Sequence, residues 1–108
     1  MSNKVFIGTE LKLNLYFEPL GNTKMRDYYD TLKVEAYCTT PEEGLTLDKE
    51  DIKYIDENNC NILIDTTKVG IGTLKIKTTA DIEDLDFKDQ IRTEVVCVNT
   101  GIKIVDDL

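Results

Sequence analysis

Three cysteines and two clusters of carboxylates are the side chains whose types point most directly to chemistry. The cysteines are Cys38, Cys60 and Cys97. Each sits inside or beside an apolar run, where cysteine acts as a small buried hydrophobe. No CxxC spacing is present, and three thiols cannot all pair within one chain. The expectation is reduced thiols, with one disulfide plus one free thiol as the alternative. A nucleophilic thiol also needs a base. The chain has no histidine, which removes the usual general base, the usual zinc ligand and any histidine-based triad. The only serine is Ser2. Gly70-Ile71-Gly72 lacks the lysine and the helix of a phosphate-binding loop and reads as a strand connection.

The carboxylates are concentrated in two stretches. Residues 42–51 hold Glu42, Glu43, Asp48, Glu50 and Asp51 against Lys49. Residues 81–89 hold Asp81, Glu83, Asp84, Asp86 and Asp89 against Lys88. These stretches account for the whole formal charge of −8, so the rest of the chain is neutral. No basic stripe is available to neutralise phosphates, which argues against nucleic acid as a partner. An anionic membrane surface is disfavoured for the same reason. Clustered oxygens suit a hard cation, yet Asp81–Asp86 lacks the Asp-x-Asp-x-Asp-Gly order of a calcium loop. A solvated or interface loop is the preferred reading, with no metal and no cofactor. Nothing places two carboxylates across a cleft for glycoside hydrolysis. These absences together point to a non-enzymatic protein.

The elements that would position these residues are strands. The stretch Asp51–Thr79 runs apolar, polar with Asn, apolar, Gly-bearing, apolar. Each apolar run is strand-length and rich in Ile and Thr, which predicts three consecutive antiparallel strands. Leu11, Leu13, Leu15 and Phe17 alternate with polar residues, as do Leu32, Val34, Ala36 and Cys38. Pro19 ends the first of these, because proline cannot donate to a ladder. Pro41 and Gly44 break the chain inside the first acidic loop, and Asp48 could cap a helical turn over Asp48–Asp51. Ala80–Gln90 reads as the second acidic loop, with Ile82, Leu85 and Phe87 at helical spacing over one end of the core.

Ile91–Val98 is the longest β-branched run. Its Arg92, Glu94, Val96, Val98 face passes from polar to apolar, which predicts entry into a buried region. Asn99-Thr100-Gly101 reads as a tight turn into a final strand, Ile102–Val105. Lys4–Ile7 reads as a sheet edge or a reaching arm. About seven strands with turns every eight to twelve residues predict an all-β, antiparallel sandwich of immunoglobulin-like type. The 108 residues form one domain, with an arm at 1–8 and a tail at 106–108. No apolar h-region or membrane-length run is present.

Three segments carry a family resemblance: Leu11–Phe17 followed by Leu32-Lys33-Val34-Glu35-Ala36-Tyr37, then Asn59–Ile76, then Asp84-Leu85-Asp86-Phe87-Lys88-Asp89-Gln90-Ile91-Arg92-Thr93-Glu94-Val95. Together they resemble the immunoglobulin-like modules of tailed-phage virion proteins. The likeness is to the N-terminal domain of baseplate upper proteins, and the last segment is most similar to versions in crAss-like phages. The resemblance covers about residues 9–105. No fibre or receptor-binding extension follows the module, so it implies an auxiliary capsid protein that decorates the shell. The major capsid protein or another virion protein would be the partner, and the chain would be made in the bacterial cytoplasm and reside on the capsid surface. A head-fibre, tail or baseplate adaptor is the alternative, as is a carbohydrate-binding module using Tyr16, Tyr28, Tyr29 and Tyr37. The candidate interface residues are Tyr28, Tyr29, Asp84, Asp86, Phe87 and Arg92.

Overall fold

The computed structural model describes residues 3–16, 31–56 and 58–106. Among these residues eight strands form two packed sheets: β1 (Lys4–Phe6), β2 (Glu10–Tyr16), β3 (Lys33–Tyr37), β4 (Leu45–Leu47), β5 (Ile52–Tyr54), β6 (Asn59–Asp65), β7 (Gly72–Glu83) and β8 (Ile91–Val105). The larger sheet has the order β1-β8-β7-β3-β4 and the smaller the order β2-β6-β5. Apart from β1, this is the immunoglobulin arrangement: β2, β6 and β5 stand as strands B, E and D, and β8, β7, β3 and β4 as G, F, C and C′. The first strand departs from the antiparallel expectation. It joins the larger sheet and runs parallel to β8, pairing Lys4 with Lys103 and Phe6 with Val105.

Period-two alternation sets which side chains face inward. On β3, Val34 and Ala36 are buried; on β6, Cys60, Ile62 and Ile64; on β7, Leu74, Ile76, Ala80 and Ile82. Leu11, Leu13 and Leu15 of β2 pack against this core from the smaller sheet. Fully burying each large aliphatic side chain contributes about 1.5–3 kcal/mol, an upper estimate because the unfolded chain already buries part of that surface.

Four sequence expectations are corrected. The three consecutive strands do not share one sheet. β5 pairs with β6, but β7 crosses to the larger sheet and pairs with β3 and β8. The first acidic loop contains a strand, β4, whose three residues are too few to show a period. It lies close to β3 because position 44 is glycine. A Cβ there would collide with the Ala36 carbonyl oxygen and lie 2.6 Å from Tyr37 Cβ. Asn99-Thr100-Gly101 is not a hairpin turn but a bulge inside the continuous β8. Thr73 and Lys75 flank Leu74 alone on β7, whereas their partners Lys103 and Asn99 flank Thr100, Gly101 and Ile102. Asn and Gly serve here because Gly101 has φ 75°, while Asn99 Oδ1 accepts from the Gly101 N–H at 2.9 Å. Finally, Val96 and Val98 do not enter a buried region; they remain 42% and 45% exposed.

The connections gather at the two ends of the sandwich. At one end Thr66 is fully buried, and its hydroxyl donates to the Thr9 carbonyl at 2.7 Å and accepts from the Gly8 N–H at 2.8 Å. That hydroxyl ties the β1–β2 corner to the β6–β7 connection. Pro41–Glu43 lies toward the same end, following β3, and the expected helical turn at Lys49–Asp51 sits at the sheet edge. The opposite end carries the β7–β8 hairpin. The two acidic stretches are therefore well separated.

Candidate functional site

The β7–β8 hairpin brings together four of the sequence-predicted interface residues, Asp84, Asp86, Phe87 and Arg92. Tyr28 and Tyr29 lie outside the described residues, as does Phe17. The expected loop is shorter than its acidic stretch, because β7 continues to Glu83 and Ile82 points into the core. Three backbone hydrogen bonds then close residues 84–90. Asp84 N–H donates to the Gln90 carbonyl at 3.0 Å, Phe87 N–H to the Asp84 carbonyl at 3.2 Å, and Gln90 N–H to the Phe87 carbonyl at 2.8 Å. Asp84 Oδ1 also accepts from the Asp86 N–H at 3.1 Å, the short side-chain-to-backbone turn that Asp favours. Gln90 adopts φ 60°, a left-handed conformation that costs a non-glycine residue on the order of 1–2 kcal/mol.

Arg92 holds this turn to the strand. Its Nε donates to Asp84 Oδ2 at 3.0 Å and a terminal nitrogen donates to Glu94 Oε2 at 2.9 Å. The bonds to Glu94 and Asp84 raise the guanidinium pKa further, so the side chain stays charged. Beside it, Thr93 Oγ1 donates to Asp81 Oδ1 at 2.8 Å, and the Asp81 N–H donates to Thr31 Oγ1 at 3.0 Å. The predicted Asp84 and Arg92 are thus partners in one brace, while Asp86 and Phe87 face outward.

The apolar side chains of the tip do not cover the sandwich end. Leu85 is 73% exposed, Phe87 48% and Ile91 53%. They stand among the exposed carboxylates of Asp86 and Asp89. Burial in a complementary surface would favour this tip, and the carboxylates would select a basic rim. Sequence reasoning singled out Phe87 but not Leu85 or Ile91. Leu85 stands between Asp84 and Asp86, where helical spacing accounted for it, and Ile91 stands between Gln90 and Arg92 at the head of a β-branched run, which carries no signal of exposure.

The remaining candidates among the described residues are the three cysteines, Tyr16 and Tyr37. Cys38 and Cys60 are buried, and burial pushes the Cys60 thiol up to about 11 and raises that of Cys38. Such thiols are poor nucleophiles at neutral pH. Cys97, expected in the interior, is exposed on the outer face of β8. Burial raises the Tyr37 phenol, with Cys97 adding to the effect. Tyr37 and Tyr16 lie on the outer faces of different sheets, so these two rings do not form one platform. Among the described residues no three Cys, Asp or Glu side chains group as metal ligands, and no helix is long and apolar enough to cross a membrane. Compared with known proteins, the chain matches no family model, no curated protein and no solved structure.

Proposed function

We propose that this chain is a non-enzymatic structural virion protein, an immunoglobulin-like auxiliary capsid protein that binds and stabilises a phage capsid lattice. The observation that carries the reading is the braced hairpin tip, where Leu85 and Phe87 are presented to solvent within a ring of carboxylates. A tip fixed by Arg92 pays little ordering entropy on docking, which suits a repeated contact on a rigid shell. The F–G connection of an immunoglobulin sandwich belongs to the end that carries binding loops in variable domains, a fold-level analogy that supports the same assignment. The resemblance of Asp84–Val95 to phage virion modules supplies the partner class, the major capsid protein or another virion protein.

The test is co-sedimentation of purified protein with stripped capsids. Binding at lattice stoichiometry, a raised disruption temperature of the particle, and loss of both on Leu85→Asp with Phe87→Asp would support the reading. Absence of the protein from purified particles would overturn it. Binding to tails or to the cell surface instead would reassign it as an adaptor or receptor-binding module.

A further inference from the structure

We infer that β8 is an intermolecular pairing edge and that its occupant is the β8 of a second copy, added antiparallel about a two-fold axis near Val95. The inference does not depend on the capsid reading.

β8 is the longest strand, spanning fifteen residues. β7 pairs along one side of it from Ile104 to Ile91. On its other side β1 covers only Lys103–Val105, with two further hydrogen bonds, Lys103 N–H to the Asn3 carbonyl at 3.0 Å and Ile7 N–H to the Val105 carbonyl at 2.8 Å. From Ile91 to Asn99 that side has no strand neighbour among the described residues. Alternate N–H and C=O groups along it therefore point outward, which makes it a template for another strand.

Edges left open in this way are normally guarded by lysine, proline or a bulge. Residues 91–99 hold neither lysine nor proline, and the bulge lies beyond them. The two charges present, Arg92 and Glu94, already bond each other. What remains is apolar on both faces: Val95 is 52% exposed on the outer face, and Val96 and Val98 are 42% and 45% exposed on the inner face.

Charge placement on the outer face fits a second copy in the antiparallel direction. Along β7 the outward residues run Lys75, Lys77, Thr79, Asp81 and Glu83, a gradient from basic to acidic. Their β8 neighbours are Asn99, Cys97, Val95, Thr93 and Ile91 in the same order. A two-fold axis at Val95 sets Thr93 against Cys97 of the second copy and Ile91 against its Asn99. Asp81 and Glu83 of each copy then fall in the same cross-sheet rows as Lys77 and Lys75 of the other. The rows place unlike charges roughly 14 Å apart at the backbone, three strand spacings of about 4.8 Å, so their attraction favours this direction most at low ionic strength, where the Debye length is about 30 Å. A parallel addition would align each acidic end with itself. On the inner face, Val96 and Val98 meet the aliphatic stems of Glu94 and Arg92 of the second copy. The result joins two five-stranded sheets into one continuous sheet across the axis.

The test is multi-angle light scattering over a wide concentration range, using the full chain. The expected result is a species of about twice 12.3 kDa that forms reversibly with concentration. Val95→Lys sets two like charges at the axis and should return the protein to monomer, with the thermal stability of the dilute, monomeric wild type, since Val95 is 52% exposed within one chain. In a Cys97→Ser background, Val95→Cys should oxidise to a covalent dimer, whereas Ile91→Cys, facing Asn99, should not. A monomer at every concentration overturns the inference. So does a dimer that survives Val95→Lys but dissociates on Leu85→Asp, which would place the contact at the hairpin tip.

Discussion

β7 and β8 are the two strands of one hairpin, joined along their length by hydrogen bonds, yet they live in different surroundings. The inward side chains of β7, from Leu74 to Ile82, are at most 7% exposed. The inward side chains directly opposite, Val96 and Val98, are exposed beyond two-fifths. By composition the order should be reversed, because β7 alternates with lysine and threonine while β8 carries a β-branched run. What separates them is the second sheet. Among the described residues the smaller sheet has three strands, and the buried cluster takes in side chains of β7 and β3 but none of β8 between Ile91 and Asn99. Hydrophobicity in a strand thus reports that something must cover it. The covering element is part of the same chain for β7 and, on our inference, a second chain for β8.

The largest expected contrast between the covered and uncovered regions is in thiol chemistry. Cys97 should react with a disulfide reagent in the native protein. Cys38 and Cys60 should react only through opening of the fold, roughly a thousandfold slower or more for a domain of ordinary stability. Comparable rates for all three thiols would break the distinction. In equilibrium unfolding, Ile62→Ala or Leu74→Ala should cost about 2–5 kcal/mol, because each vacates a fully buried site. Val98→Ala, at an exposed site, should stay within about 0.5 kcal/mol in dilute, monomeric protein. A large loss there would mean that the β8 flank is covered within one chain.

Thr66→Val probes the covered region at its end. It keeps the volume but leaves the Gly8 N–H without its acceptor and the Thr9 carbonyl with only the longer bond from the residue 66 N–H, and should cost about 1–3 kcal/mol by urea denaturation. The smallest effect concerns acid. Hydrogen bonds from Asn59 hold the Asp56 carboxyl below its ordinary value, and those from Thr67 do the same for Asp65. A depressed folded-state pKa contributes stability above the unfolded value of about 3.9 that is lost as pH falls through the folded value. Stability should therefore decline as pH drops below about 4, and Asp65→Asn should make that decline shallower; an unchanged slope would remove Asp65 from the account.

Much of the fold was legible because strand alternation is local. Leu11–Leu15, Val34–Cys38 and Cys60–Ile64 each declare a buried face without reference to anything else. Sheet membership was not legible, since β6 and β7 read alike and only the crossover separates them. Asn99-Thr100-Gly101 misled because a bulge and a tight turn ask for the same residues, a local acceptor and a glycine at positive φ. Of the candidate interface residues, Asp84, Asp86, Phe87 and Arg92 fall together on the hairpin. Sequence could not show that two of them brace while the others face solvent. The open edge was invisible for a related reason: a run of β-branched residues looks the same whether its neighbour is present or absent.

The parallel pairing of β1 with β8 has a mechanical consequence. The chain enters beside Lys103 and leaves beyond Val105, next to Phe6. Tension applied through the two ends would slide these strands past each other lengthwise, loading the paired main-chain hydrogen bonds together. Antiparallel terminal strands would instead be unzipped one bond at a time. Pulled from its ends, this small sandwich is built to resist in shear.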